Sequence, residues 1–316
     1  MGTAKFATLA VMATPGKIAR PTRHSAALLT SRENRWLKEF RMALRAGVPT
    51  ESHCVGVEGV RLVQEALRST WRIKAVLFSE SGHRHRQRLG ALKDGLRSTF
   101  PVLYTTDRLF AGLADTEHPQ GVAALVEPRL ATLADVFGPA GEAAPALVVV
   151  LAGVQDPGNV GAILRTAAAF GATAAVTTAS GQSRAANPFA PKALRASAGA
   201  ALRLPILVGM SLPILLAQLR VAGVRTIAAS SREQHESNAQ PLLAPWELDW
   251  RGPVALLVGN EGAGLSEEIE RSADARTRIP MASGVESLNA AAATAVLFYE
   301  AARQRTSLSA ASAAKP

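Results

Sequence analysis

The chain has 316 residues, enough for one large domain or two of ordinary size. Its 48% hydrophobic content supplies a sizeable core, built mostly from Ala, Val and Leu because aromatics make up only 5%. A single cysteine, Cys54, excludes an internal disulfide and a multi-cysteine zinc site, and no stretch of about 18 uncharged apolar residues marks a membrane span. The formal charge of +10 favours an anionic partner, nucleic acid above all.

Residues 1–29 carry Lys5, Lys17, Arg20 and Arg23 with no acid, among many Ala, Thr and Ser. They read as a disordered basic arm; an organellar presequence has the same composition. No continuous apolar core of a secretory signal is present, so the expected location is the cytoplasm. A helix begins near Thr30, where Ser31 offers a cap and Gly47 a stop. "HCVGVEGVRLVQEALRS" reads as a short strand, a Gly turn and an amphipathic helix with Val60, Val63 and Leu67 on one face. "IKAVLFSES" is a strand and "HRHRQRLGALKDGLR" a basic helix. "FPVLYTTDRLFAGLA" adds a strand and a helix, and "GVAALVEP" closes the set. Residues 30–126 thus alternate as a compact α/β layer.

Residues 127–146 hold three prolines and two glycines and read as a linker. Then "ALVVVLAGV" is a nearly continuous apolar strand, of the kind buried in a parallel sheet. The alternation continues through "NVGAILRTAAAFG", "AAVTTAS", "PKALRASAGAAL", "SLPILLAQLRVAG", "VRTIAAS", "PVALLVGN", "LSEEIERSA", "TRIPM" and "SLNAAAATAVLFYEAAR". Residues 147–305 are expected to be a parallel α/β sheet with ligand loops at the strand ends. Residues 306–316 read as a disordered tail.

Three stretches carry candidate chemistry. In "DPGNVGAILRTAAAFGA", Asn159 lies at a helix start, where its amide caps or reaches a ligand. Arg165 stands in an otherwise apolar helix and needs a phosphate, a carboxylate or open surface. In "LLVGNEGAGLSEEIE", Gly259, Gly262 and Gly264 let the backbone approach a ligand, and Ser266 caps an acidic helix. The loop lacks the lysine of GxxxxGK[ST] and the third glycine of GxGxxG, which argues against a nucleoside triphosphate or a dinucleotide. In "IPMASGVESLNAAAATAVLFYE", Glu286, Ser287 and Asn289 open a long apolar helix, with Ser287 as a plain N-cap the simplest reading. No His/Cys/Asp cluster has metal-ligand spacing.

Taken together, the order and spacing of these stretches resemble the SpoU/TrmH family of RNA ribose 2′-O-methyltransferases, within the knotted SPOUT class. The first motif resembles Asn159, Gly161, Arg165, Thr166 and Gly171. The second resembles Gly259, Asn260, Glu261, Gly262, Gly264, Leu265 and Ser266. The third resembles Ile279, Pro280, Met281, Ser287, Leu288 and Asn289, with Tyr299 and Glu300 beyond. Residues 30–126, through "VEGVRLVQEAL" and "LADTEHPQGVAALVE", are similar to the family's smaller L30e-like substrate-binding domain.

The resemblance implies a knotted α/β fold and S-adenosylmethionine as cofactor, gripped by backbone at Leu257, Gly259, Ile279, Met281 and Leu288. It implies a catalytic set of Asn159, Arg165, Glu261, Ser287 and Asn289. Arg165 would hold the target phosphate and stabilise the developing alkoxide, and Glu261 would orient Arg165 or accept the proton. It also implies a homodimer through the second half. An L30e-like first half favours large-subunit (23S-type) ribosomal RNA over transfer RNA. The basic run at 83–97, with Arg84, Arg86 and Arg88, and Arg184, Lys192 and Arg195 are the expected RNA phosphate contacts. The rival readings are a dinucleotide enzyme on the same sheet and an RNA-binding factor with a silent transferase site.

Overall fold

The computed structural model describes residues 28–45, 50–90, 100–137, 145–179, 184–230 and 242–313. Among them the strands form two sheets. The first runs β1 (Leu28–Leu29), β4 (Val102–Thr105), β3 (Arg72–Ser79), β5 (Val122–Glu127), β2 (Val55–Glu58). It is mixed: β3 pairs with β4 in parallel, and with β5 antiparallel. Helix α1 (Arg35–Arg45) buries Leu37, Phe40, Ala43 and Leu44, the i, i+3, i+4 spacing of one apolar stripe. Helix α2 (Val60–Arg68) buries Val60, Val63 and Leu67 as the sequence implies.

The second sheet has seven strands in the order β10 (Leu242–Leu243), β12 (Ala275–Thr277), β9 (Arg225–Ala229), β11 (Val254–Val258), β6 (Leu147–Leu151), β7 (Ala174–Thr178), β8 (Ile206–Met210). Every pairing in it is parallel. The central β6 and β11, "LVVVL" and "VALLV", are buried along their whole length. Such runs do not alternate because helices cover both faces. Those helices are α6 (Pro157–Ala169), α7 (Pro191–Ala196), α8 (Leu212–Val221), α9 (Glu267–Ser272) and α10 (Ala290–Ala313). After β12 the chain crosses the C-terminal ends of β9 and β11 to reach α10, which packs on α6.

The two halves share one core. A single apolar cluster joins Val57, Val76 and Phe78 of the first sheet to Val149, Leu151 and Ile163 of the second half. Trp71 meets Phe189 edge-on at 5.1 Å across the seam, and Arg195 pairs with Asp115 at 2.7 Å. Arg203 pairs with Glu65 across the same seam.

Several expectations change. Leu28 and Leu29, assigned to the arm, form an edge strand on β4, while residues 1–27 lie outside the described residues. Asn34, not Ser31, caps α1: its Oδ1 accepts from Trp36 N at 2.9 Å. Gly47, the expected stop, also lies outside the described residues. The basic run is broken into a 3-10 turn, Ser81–His85, and a short helix α3 (Arg86–Gly90), with residues 91–99 outside the description. Within the expected linker, α5 (Leu133–Phe137) buries Val136 against the second sheet. The expected strand "TRIPM" ends at Thr277; Arg278 N still donates to Leu243 O of β10 at 3.0 Å, and Pro280 beyond it has no N–H to carry the pairing on. The expected tail continues α10 as far as Ala313, as its many alanines favour. Arg305 anchors that helix by donating to the carbonyls of Pro145, Ala146, Trp250 and Gly252. Among the described residues no helix is long and apolar enough to cross a membrane.

Candidate active site at the ends of the parallel strands

Strand β6 ends in a turn that starts α6. Asp156 caps the helix, its side chain accepting from Asn159 N at 2.9 Å, and Pro157 takes the first helical position. Lys192 lies on the other carboxylate oxygen at 2.6 Å. The Lys192 ammonium and the helix N–H together hold the Asp156 carboxyl below its ordinary range.

Strand β11 ends in the glycine loop. Asn260 folds this loop on itself, its N–H and C=O both bonded to Gly264, and its Nδ2 donates to Gly153 O at 3.2 Å. The turn delivers Glu261 to the start of α6. One carboxylate oxygen accepts from Gln155 N at 3.1 Å; the other accepts from Asp156 N at 3.0 Å and Asn159 Nδ2 at 3.0 Å. Asn159 Oδ1 in turn accepts from Asn289 Nδ2 at 3.0 Å. Asn289 Oδ1 accepts from Ala291 N at 2.9 Å, so Asn289, not Ser287, caps α10.

Chemistry fixes the polarity of this chain. Partial burial pushes the Glu261 carboxyl up, but the bonds from Asn159, Asp156 and Gln155 outweigh it and hold the group below its ordinary range. An ionised carboxylate only accepts, so the Asn159 amide must turn its NH2 to Glu261 and its oxygen to Asn289. The helix N–H at Ala291 demands the same orientation of Asn289 from the other end. The three stretches, 102 and 130 residues apart in sequence, are thus joined by one directed network.

Beside the network lies a cleft of about 770 Å³ at the ends of β9, β11 and β12. Gly259, Ile279, Met281 and Leu288 line it, with Glu261 and Ser287 at its polar side. The Leu257 side chain is buried on the opposite face of β11, so its backbone alone is left for a cofactor contact, while Val258 beside it lines the cleft. Sequence reading missed Ser230, which also lines the cleft and donates to the buried Glu270 at 3.0 Å. Glu270 pairs with the equally buried Arg276 at 3.3 Å.

Residues 146–299 match the SpoU rRNA Methylase family, and residues 50–124 match the MRM3-like substrate binding domain. An uncharacterized tRNA/rRNA methyltransferase of Synechocystis sp. is 32% identical over 90% of this chain and 97% of its own length. The chain belongs to the SpoU rRNA methylase family. It is an RNA 2′-O-methyltransferase that uses S-adenosylmethionine. The 23S rRNA (guanosine-2′-O-)-methyltransferase RlmB of Ralstonia nicotianae is 31% identical over 78% of this chain and 95% of that one. The AdoMet-bound rRNA methyltransferase from Sinorhizobium meliloti superposes with a TM-score of 0.72 and 30% identity, covering 88% of this chain and 98% of that one.

The cleft suits this cofactor. Its walls offer apolar side chains for an adenine ring and glycine backbone at Gly259, Gly262 and Gly264 for close polar contact. Glu261 sets a negative charge beside it, which favours a cationic sulfonium.

Arg165 stands apart from this cleft. Six residues beyond Asn159, it lies about 9 Å along α6 and roughly 240° around it. It is exposed, lines a different cavity and has no hydrogen-bond or ion-pair partner among the described residues. Glu261 does not orient it, being held by α6 instead. Of the expected RNA contacts, Arg84, Arg86, Arg88 and Arg184 are exposed. Arg86 sits over the Tyr104 ring at 5.9 Å and Arg88 donates to Gln64 at 3.3 Å. Lys192 and Arg195 are engaged in ion pairs with Asp156 and Asp115.

Proposed function

We propose that this methyltransferase acts on large-subunit ribosomal RNA, with Arg165 as the catalytic cation and the Glu261–Asn159–Asn289 network as the frame of the site. That network carries the reading, because it ties the start of α6 to the glycine loop and the start of α10, the two segments that line the cofactor cleft. The RlmB likeness over nearly that protein's whole length and the match of residues 50–124 to a substrate-binding domain support the ribosomal substrate. In this reading residues 30–126 bind RNA, residues 147–305 carry out transfer, and the enzyme works in the cytoplasm.

S-adenosylmethionine, when bound, supplies a sulfonium-activated methyl group. The ribose 2′-oxygen would take that methyl group, leaving S-adenosylhomocysteine, and its hydroxyl proton would pass to solvent water. Arg165, set apart from the cleft, binds the phosphate beside the target ribose and through it positions the 2′-oxygen for attack. It remains protonated, so it is not the base. Ser287, Asn159 and Asn289 shape the ribose side of the cleft, and Ile279, Met281, Leu288 and Gly259 form its cofactor wall. Arg84, Arg86, Arg88 and Arg184 contribute phosphate contacts.

Glu261 acts as a clamp in this scheme. A glutamine there keeps one acceptor but turns an NH2 towards N–H donors. Hydrogen bonds to charged groups contribute about 1.5–3 kcal/mol, and solvent exposure puts this case at the lower end, so Glu261→Gln is expected to slow transfer about tenfold. Single-turnover kinetics check this. If Glu261 were the proton acceptor, the loss would reach about 10²–10⁴-fold.

The proposed assembly is a homodimer through α6 and α10. Val296 and Tyr299 of α10 are 42% and 58% exposed, and Tyr299 meets Phe170 of the α6 end at 6.0 Å. This exposed apolar surface is what a subunit contact buries. Light scattering at micromolar concentration should give twice the 33.1 kDa chain mass; a monomer overturns the assembly.

The test of function is tritiated methyl transfer to unmodified ribosomal and transfer RNA in parallel, with ribose-methyl mapping of the product. Label on a ribosomal 2′-oxygen is expected. Label on transfer RNA alone replaces the acceptor, and label on neither, with cofactor bound, makes the protein a silent RNA binder.

A further inference from the structure

A second cavity opens to solvent at the seam between the halves. Arg61, from α2 of the first half, lines it together with Arg165 of α6 and Arg203, which follows α7. No acidic side chain and no aromatic ring lines it. Its floor is small and apolar, with Ala168, Ala172 and Pro205. The two hydroxyls on its wall are engaged, Thr173 with Leu147 O and Ser197 with Leu194 O.

The guanidinium groups are therefore the donors this cavity presents. Among the described residues Arg61, like Arg165, has no hydrogen-bond or ion-pair partner. Arg203 is paired with Glu65, yet a guanidinium has five N–H donors, more than one carboxylate uses. Like charges gathered in one cleft repel, and an anion relieves the repulsion. The forked, planar donor matches a phosphate bidentately. The lack of an aromatic ring leaves no platform for base stacking, which RNA base-readers use.

We infer that this seam cavity is a phosphate subsite for the acceptor RNA, in which Arg61 and Arg203 join Arg165 in holding the backbone. The inference rests on the RNA methyltransferase reading. It assigns the subsite affinity and positioning but no sequence preference, since phosphate contacts carry none. It also gives the docking of the halves a purpose. Arg61 comes from α2 of the first half and Arg203 from the segment after α7 in the second, so the subsite exists only while the shared core holds them together.

The test uses the full chain and a fluorescein-labelled 20-nucleotide single-stranded RNA of mixed sequence. Arg61→Gln is the primary variant, because no ion pair of the fold is lost with it. Its affinity for this RNA is expected to fall about three- to tenfold at 0.15 M salt. The slope of log affinity against log salt should flatten by about 0.7, the value for one lost phosphate contact on a single strand. Arg203→Gln should do the same, and Arg203→Lys, which keeps the charge and the Glu65 pair, should restore most of the binding. Calorimetric binding of S-adenosylmethionine should stay unchanged in all three. Native affinity and slope in Arg61→Gln overturn the subsite. If instead the native chain methylates no RNA while Arg61→Gln still flattens the slope, the subsite stands and the methyltransferase reading falls.

Discussion

Arg165→Ala is expected to slow methyl transfer by about 10²–10³-fold while S-adenosylmethionine binds within about twofold of its native affinity. Arg165 acts by holding the acceptor backbone, and a misplacement of the reacting oxygen by about 1 Å costs about 10²-fold, the lower end of this range. The separation of the two effects follows from placement. Arg165 is exposed on α6 and does not line the cofactor cleft. It bonds to nothing else among the described residues, so its removal leaves no buried group unpaired, and the melting temperature should hold. Arg165→Lys keeps the charge but loses the fork and should fall between the two. Single-turnover transfer of a tritiated methyl group, calorimetry and thermal melting together decide it. Loss of cofactor binding along with transfer would make Arg165 a folding residue, and native rates would move catalysis to another cation.

The fold class was legible because its signal is local and strong. "LVVVL" and "VALLV" are continuous apolar runs, and only a sheet covered on both faces buries them. Residues fixed by one-position geometry were less legible. Leu257 and Val258 are neighbours, but successive strand side chains point to opposite faces, so one enters the core and the other meets the cleft. Sequence could not show which way the pair falls. Long-range pairing was also hidden. Charge complementarity suggests Glu261 for Arg165, yet the open N–H groups at the start of α6 compete better for the carboxylate. Lys192 and Arg195 look like free cations until Asp156 and Asp115, 36 and 80 residues away, fold onto them. Arg61 was passed over because α2 announces itself by its apolar stripe, and only the docking of the second half gives its polar face a setting. Ser230 ends a strand that reads as plain core, and its place at the cleft comes from the parallel order of β9 and β11.

Gly259→Ala should lower S-adenosylmethionine affinity about 30- to 100-fold and depress the melting temperature. The glycine is required by space, since its φ is not in the left-handed region. A methyl group at Gly259 would meet the carbonyl carbon of Gly264 and the nitrogen of Leu265, with the oxygen of Gly264 at 2.6 Å. All three are backbone atoms, so no rotamer change relieves the clash. The loop has to open, and the paired bonds between Asn260 and Gly264 are what hold it shut. Overpacking of this kind costs about 1–3 kcal/mol, and 2–3 kcal/mol in the wall of a binding cleft is the stated loss of affinity. Opening the loop also withdraws Glu261 from α6, so transfer should fall further than binding. Gly262→Ala is the matched control. Its added methyl group finds only Asn260 Oδ1, at 3.6 Å, so the free protein should melt as the native one does. If Gly262→Ala nevertheless weakens the cofactor, the ligand approaches the loop at Gly262 as closely as the empty space there permits. If Gly259→Ala binds the cofactor normally, the loop is not a wall of its site, and the cleft must be assigned to another ligand.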